Sequence, residues 1–119
     1  NIVEVEDRQK IKIGGIEIEC LLTPGHTPGC QCFLHKNVLI SGDTLFIDGC
    51  GRCDLPGSDP GKMYNSLYKV ILKLPDTTVV YPGHNYGPTP SATLASQKRT
   101  NPYLTCADIE EFLSERMGV

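Results

Sequence analysis

Apolar and polar residues alternate with a period of two through the first twenty-two positions. Ile2, Val3 and Val5 are followed by Ile11 and Ile13, then by Ile16, Ile18, Cys20 and Leu22. This alternation predicts half-buried strands. Gly14-Gly15 between the second and third bursts is a two-residue hairpin signal. CQCFLHK (30–36) and NVLISG (37–42) predict two more strands, with a turn near Lys36-Asn37. Residues 43–60 are rich in Gly, Pro and Asp and have no period, which predicts a long loop of the kind that carries function. The period then changes. Met63, Leu67, Val70, Ile71 and Leu74 share one face of a helix over 60–74, with Asp59 as N-cap, Pro60 at the first helical position and Pro75 as the stop. TTVVYPGH (77–84) predicts a buried strand running into a loop. SATLASQKR (91–99) predicts a second helix capped by Ser91. TCADIEEFLSERMG (105–118) predicts a third, opened by Thr105 or Cys106 and closed by Gly118. The order is strands, then helix, strand, helix, helix. It predicts an α/β layered domain with a mixed sheet, spanning 1–119 as a single unit.

Composition narrows the class. With 119 residues, 39% of them apolar, the chain has one domain's worth of material. A formal net charge of −3, with both signs scattered, leaves no electrostatic footprint for nucleic acid. No apolar stretch is long enough for a membrane span, and no signal peptide opens the sequence. No nucleic-acid or membrane partner is expected, and the expected location is cytoplasmic. The sequence starts at Asn1 without Met, so an upstream portion is expected elsewhere. Six cysteines, at 20, 30, 32, 50, 53 and 106, read as free thiols in such a domain. Cys30, Cys32, Cys50 and Cys53 could instead close a tetrahedral zinc site, although the single residue between the first two is unusual for one.

Three histidines are candidates for chemistry. His35 sits in an alternating strand and reads as a structural residue. His26 and His84 each follow Pro-Gly, in TPGH (23–26) and YPGH (81–84), at the point where a strand hands over to a loop. Ligands of α/β domains bind at such points. Asp43 ends the apolar strand of LISGD and occupies a third strand terminus, where it serves either as a turn residue or as a ligand. Two imidazoles and a carboxylate suit zinc, iron or manganese.

TPGHTPG, SGDTLF, GCGR and YPGHNYG, in this order, resemble the C-terminal half of a metallo-β-lactamase-fold hydrolase, in the glyoxalase II branch and its persulfide dioxygenase relatives. The resemblance implies half of an αββα sandwich, a mixed sheet with helices packed on one face. It implies metal ligation by His26, Asp43 and His84, with Asp43 as the catalytic bridge between two metals in hydrolases or the ligand of a single iron in dioxygenases. It places Gly51 and Arg52 of the Gly-Cys-Gly-Arg run, and Tyr86, at the substrate. The implied cofactors are two zinc ions, or iron or manganese, and a single iron if the chain is a dioxygenase. The implied activity is glyoxalase II-like thioester hydrolysis on a small thioester or glutathione-type substrate, with persulfide dioxygenation as the near alternative. A non-catalytic or zinc-binding interaction module is the alternative from another class.

The departures from the family are specific. The first metal motif, His-x-His-x-Asp-His, does not occur in residues 1–119. The N-terminal half is therefore expected outside them, and this half alone is expected to be inactive. Its sheet is expected to be covered by that missing half or by a second copy. Asp54 stands where glyoxalase II has a tyrosine. GRCD (51–54) is closer to the Gly-Arg-Thr-Asp of persulfide dioxygenases, and NPYLT (101–105) also resembles that branch.

Overall fold

The computed structural model describes residues 6–118, so the strand expected around Ile2, Val3 and Val5 lies outside the described residues. Strands β1 (Lys10–Ile13) and β2 (Ile16–Leu22) form the hairpin that Gly14-Gly15 predicts, with Gly14 at φ +62°. Strands β3 (Gln31–His35) and β4 (Val38–Gly42) follow, and Lys36 takes a positive φ in the turn between them. A two-residue ribbon, β5 (Leu45–Phe46) with β6 (Gly49–Cys50), comes next. Helix α1 (Pro60–Asn65) continues as a π-helical turn over Ser66–Val70 and a 3₁₀ turn over Ile71–Lys73. Strands β7 (Val79–Pro82) and β8 (Ala92–Thr93), then helices α2 (Leu94–Thr100) and α3 (Ile109–Met117), complete the order.

The main sheet has six strands in the order β1-β2-β3-β4-β7-β8. Only β4 and β7 pair in parallel, so the sheet is mixed. Register assigns its faces. Leu34 pairs with Leu39, which pairs with Val80 and then Ala92, and this row belongs to the core with Met63, Leu67, Ile71, Leu94 and Phe112 from the helical segments. One residue along, Phe33, Ile40 and Tyr81 form the next row, and Ile40 and Tyr81 are 51% and 45% exposed. The helices therefore cover one face and leave Ile40 and Tyr81 exposed on the other, because side chains alternate along a strand.

Four elements differ from the sequence reading. The stretch 43–60 is not wholly irregular, because its first part folds as the β5–β6 ribbon. Two-residue strands are too short to show a period. The 60–74 helix has its predicted cap, with Asp59 Oδ1 accepting from the Lys62 N–H at 3.0 Å. It does not stay α-helical, however. At the π turn the Ser66 hydroxyl donates to the Pro24 carbonyl at 2.7 Å, tying the helix to the loop ahead of His26. The second helix starts at Leu94 under Thr93, not Ser91, because Ala92-Thr93 is used as an edge strand and Thr93 Oγ1 takes the Ser96 N–H. The third is capped by Asp108, which accepts from the Glu111 N–H at 2.9 Å. Thr105 and Cys106 do not cap it, since the Cys106 N–H is committed to the Tyr68 hydroxyl at 2.9 Å. Gly118 closes it in the left-handed conformation, φ +72°.

Candidate functional site

The motifs converge because their smallest residues allow it. The two motif threonines, Thr23 and Thr44, are fully buried and their hydroxyls share a hydrogen bond of 2.8 Å. That bond ties the start of the His26 loop to the turn after Asp43. A Cβ on Gly83 would lie 3.1 Å from the Gly42 carbonyl, and the Gly83 N–H donates to that carbonyl at 2.8 Å. The close approach brings the residues following each glycine, Asp43 and His84, together. Gly51 is tighter still. A Cβ there would meet the Asp43 carbonyl at 2.1 Å and the His26 ring at 3.1 Å. Gly51 thus serves as the point where three loops close on one another.

The result is an open cleft of about 290 Å³ lined by His26, Asp43, Phe46, Cys50, Gly51, Arg52, His84, Tyr86 and Arg116. All six residues singled out from the sequence border it. His84 Nδ1 lies 2.8 Å from Asp43 Oδ1. His26 Nδ1 lies 2.8 Å from the Arg52 carbonyl, which can only accept, so Nδ1 carries the proton. In the neutral ring His26 then has Nε2 unprotonated. An outer hydrogen bond of this kind orients metal-binding imidazoles. The donor chemistry fits a divalent cation as part of its coordination. Among the described residues, no three such groups are gathered closely enough to hold one by themselves.

Aromatic rings form a wall of the cleft. His84 stacks on Tyr86 with centroids 5.0 Å apart, and Phe46 meets Tyr86 edge-on at 5.1 Å. Arg52 borders the cleft but is also clamped, Nε to Asp54 Oδ1 at 2.7 Å and Nη2 to Asp54 Oδ2 at 2.9 Å. Those bonds hold the Asp54 carboxyl below the usual carboxylate range. Phe46 and Arg116 were not singled out from the sequence. Phe46 is part of the quoted SGDTLF, where its alternation on a two-residue strand carries no signal. Arg116 reaches in from the end of α3 and has no local motif at all. His35 is a strand residue with Nδ1 3.0 Å from the Glu17 carbonyl.

The thiols do not assemble as a Cys₄ zinc site. Cys32 is fully buried against Thr23 and the Ser41 carbonyl. Cys30 precedes β3 and is half-buried, with its thiol 3.0 Å from the Thr27 hydroxyl. Cys50 lies against Arg116. Among the described residues no thiol group of three or more forms a metal cluster.

A mixed sheet with helices on one face, and a cleft at its strand ends lined by two imidazoles and a carboxylate, places the chain among layered α/β proteins. Residues 2–84 match the family model described as "Metallo-beta-lactamase superfamily", and the chain belongs to that superfamily. It is 35% identical to the "Probable polyketide biosynthesis zinc-dependent hydrolase PksB" of Bacillus subtilis over 98% of this chain and 52% of that protein. It is 34% identical to the human mitochondrial "Persulfide dioxygenase ETHE1" over 93% of this chain and 44% of that one. It is 44% identical to a Dictyostelium discoideum "Hydroxyacylglutathione hydrolase" over 70% of this chain and 33% of that one. The fold of the crystal structure of ETHE1 from Myxococcus xanthus superposes with a TM-score of 0.90 at 34% identity, covering 98% of this chain and 53% of that one. The chain spans about half the length of the curated relatives it matches first.

Proposed function

We propose that this chain supplies half of a metal-dependent thioester hydrolase of the glyoxalase II type. His26, Asp43 and His84 would hold the metal, and Gly51, Arg52 and Tyr86 would border the substrate. The observation that carries the reading is the shared cleft of those three donors, with the His26 ring oriented by an Nδ1 hydrogen bond and His84 set 2.8 Å from Asp43. The chemistry such a metal would supply, if bound there, is a lowered pKa of its water and polarisation of a thioester carbonyl. This chain's own residues do the rest. The Arg52 carbonyl fixes the His26 ring, Tyr86 stacks on His84, and Phe46 with Tyr86 gives the substrate an apolar wall. The remaining ligands would come from a longer protein of the relatives' length, whose other half would also cover the bare row of Phe33, Ile40 and Tyr81. Six cysteines in the free state suit a reducing compartment such as the cytoplasm.

One observation favours a second reading, persulfide dioxygenation with a single iron. The Arg52–Asp54 clamp in GRCD is formed in the structure, and that run resembles the dioxygenase branch. The deciding experiment uses the full-length protein that contains this chain. Zinc-dependent hydrolysis of S-lactoylglutathione without oxygen uptake supports the hydrolase. Oxygen uptake on glutathione persulfide by an iron-loaded protein, without thioester hydrolysis, overturns it in favour of the dioxygenase.

A further inference from the structure

The cleft carries two guanidinium groups, and they are not equivalent. Arg52 is occupied by both oxygens of Asp54, so an incoming anion meets the repulsion of that carboxylate as well as the attraction of the arginine. Arg116 projects from the last turn of α3, and the groups it bonds to and stacks on are neutral; Asp54 feels its charge across the adjoining hollow but gives its oxygens to Arg52. Its Nη1 donates to the Cys50 carbonyl at 3.1 Å, and its guanidinium carbon sits 4.8 Å from the centre of the Tyr103 ring. Its Nε is buried without a hydrogen-bond partner. Among the described residues no carboxylate forms an ion pair with it. Arg116 also borders the adjoining hollow, with Arg52, Cys53, Asp54 and Met117, so it stands where the two depressions meet.

A carbonyl and an aromatic face fix the position of a guanidinium without neutralising it. The fork geometry then matches a carboxylate or a phosphate better than any uncharged group. We propose that Arg116 is a specificity-determining residue of this cleft, selecting substrates whose thiol portion carries an anionic group, a carboxylate or a phosphate. The proposal rests on the thiol-substrate reading above. It adds that anion selection belongs to α3, outside every motif of the sequence, and not chiefly to Arg52.

The test compares matched probes on the metal-loaded full-length protein by calorimetry. Glutathione against its diethyl ester reports on carboxylates, and 4′-phosphopantetheine against pantetheine reports on phosphate. The unmodified protein is expected to prefer the anionic member of one pair by about 10-fold or more, the worth of one charge-assisted hydrogen bond. The pair that shows the preference names the anion. Arg116→Gln should abolish most of that preference, and Arg52→Gln should reduce it less. Arg116→Lys keeps the charge and the packed stem while losing the fork, and should retain only part of the preference. With thioesters of the same carriers, KM for the anionic one should rise in Arg116→Gln by a larger factor than kcat falls. Equal weakening of both members of a pair, an undiminished anion preference in Arg116→Gln and Arg116→Lys, or no anion preference in the unmodified protein would each overturn the proposal. If no thioester is hydrolysed, the hydrolase reading fails while the binding pairs still decide the role of Arg116.

Discussion

A single methyl group at Gly51 would collide with the Asp43 carbonyl and the His26 ring together, which makes this position the most sensitive one in the cleft. Gly51→Ala is expected to push the Asp43 and His26 loops apart and to lower metal occupancy of the full-length protein more than its fold stability. Metal content measured beside a thermal unfolding curve checks this, and unchanged occupancy would contradict it. The cysteines behave differently. Burial pushes the Cys32 thiol from its ordinary 9.0 up to about 11, and the Cys50 thiol up to about 12. Thiolate is the reactive form, so both should resist iodoacetamide near neutral pH while half-buried Cys30 is alkylated first, as read by peptide mass spectrometry. The same shifts set a pH dependence. Above pH 9 the unfolded chain releases these protons while the folded chain keeps them, so their contribution to stability is complete below about pH 9 and is lost as pH rises toward about 11 for Cys32 and about 12 for Cys50. Urea midpoints that fall across that window agree with this account, and flat midpoints contradict it.

Among the elements, the β5–β6 ribbon depends on α2. Asp48, at φ +59° in the ribbon turn, accepts from Gln97 Nε2 at 3.1 Å and from the Thr100 hydroxyl at 2.6 Å. Fully buried Asn101 donates to the carbonyls of Phe46 and Gly49 at 3.2 and 3.0 Å, and its own oxygen takes the Tyr103 N–H. Asn101→Ala leaves buried carbonyls unpaired and should cost about 2–4 kcal/mol in chemical denaturation. A loss under about 0.5 kcal/mol, the size expected of a surface change, would contradict this role. NPYLT stood out in the sequence only as a likeness, because the partners of Asn101 lie on a ribbon some fifty positions upstream. Elements with a long period were legible. Strands β1 to β4, β7 and the Asp59-capped helix all follow from local alternation, turn and cap signals. What local pattern did not give was any choice made by tertiary partners: the π turn at Ser66, the Thr93 and Asp108 caps, and the two-residue strands. The candidate site divides in the same way. His26, Asp43 and His84 could be found because each ends a strand inside a Pro-Gly or Gly frame, whereas Arg116 acts only through the reach of its side chain.

Among the described residues, the helices of the molecule pack on one face of the sheet and leave part of the other exposed. Ile13, Ile16, Ile40 and Tyr81 remain exposed, a larger apolar surface than scattered surface residues would give. No helix among the described residues is long and apolar enough to cross a membrane. The 119 residues expressed alone should therefore self-associate through this face, and Ile40→Lys with Tyr81→Lys should shift them toward monomer in sedimentation velocity. A wild-type chain that stays monomeric and binds no apolar dye would show the face to be inert. At the strand ends His26, Asp43 and His84 border one cleft. The most direct measurement is an anomalous-difference map from crystals of the full-length protein, collected across the absorption edges of zinc and iron. The account predicts a metal peak bonded to His26, Asp43 and His84. A metal held by Cys30, Cys32, Cys50 and Cys53, or one that touches none of the three cleft ligands, would contradict it.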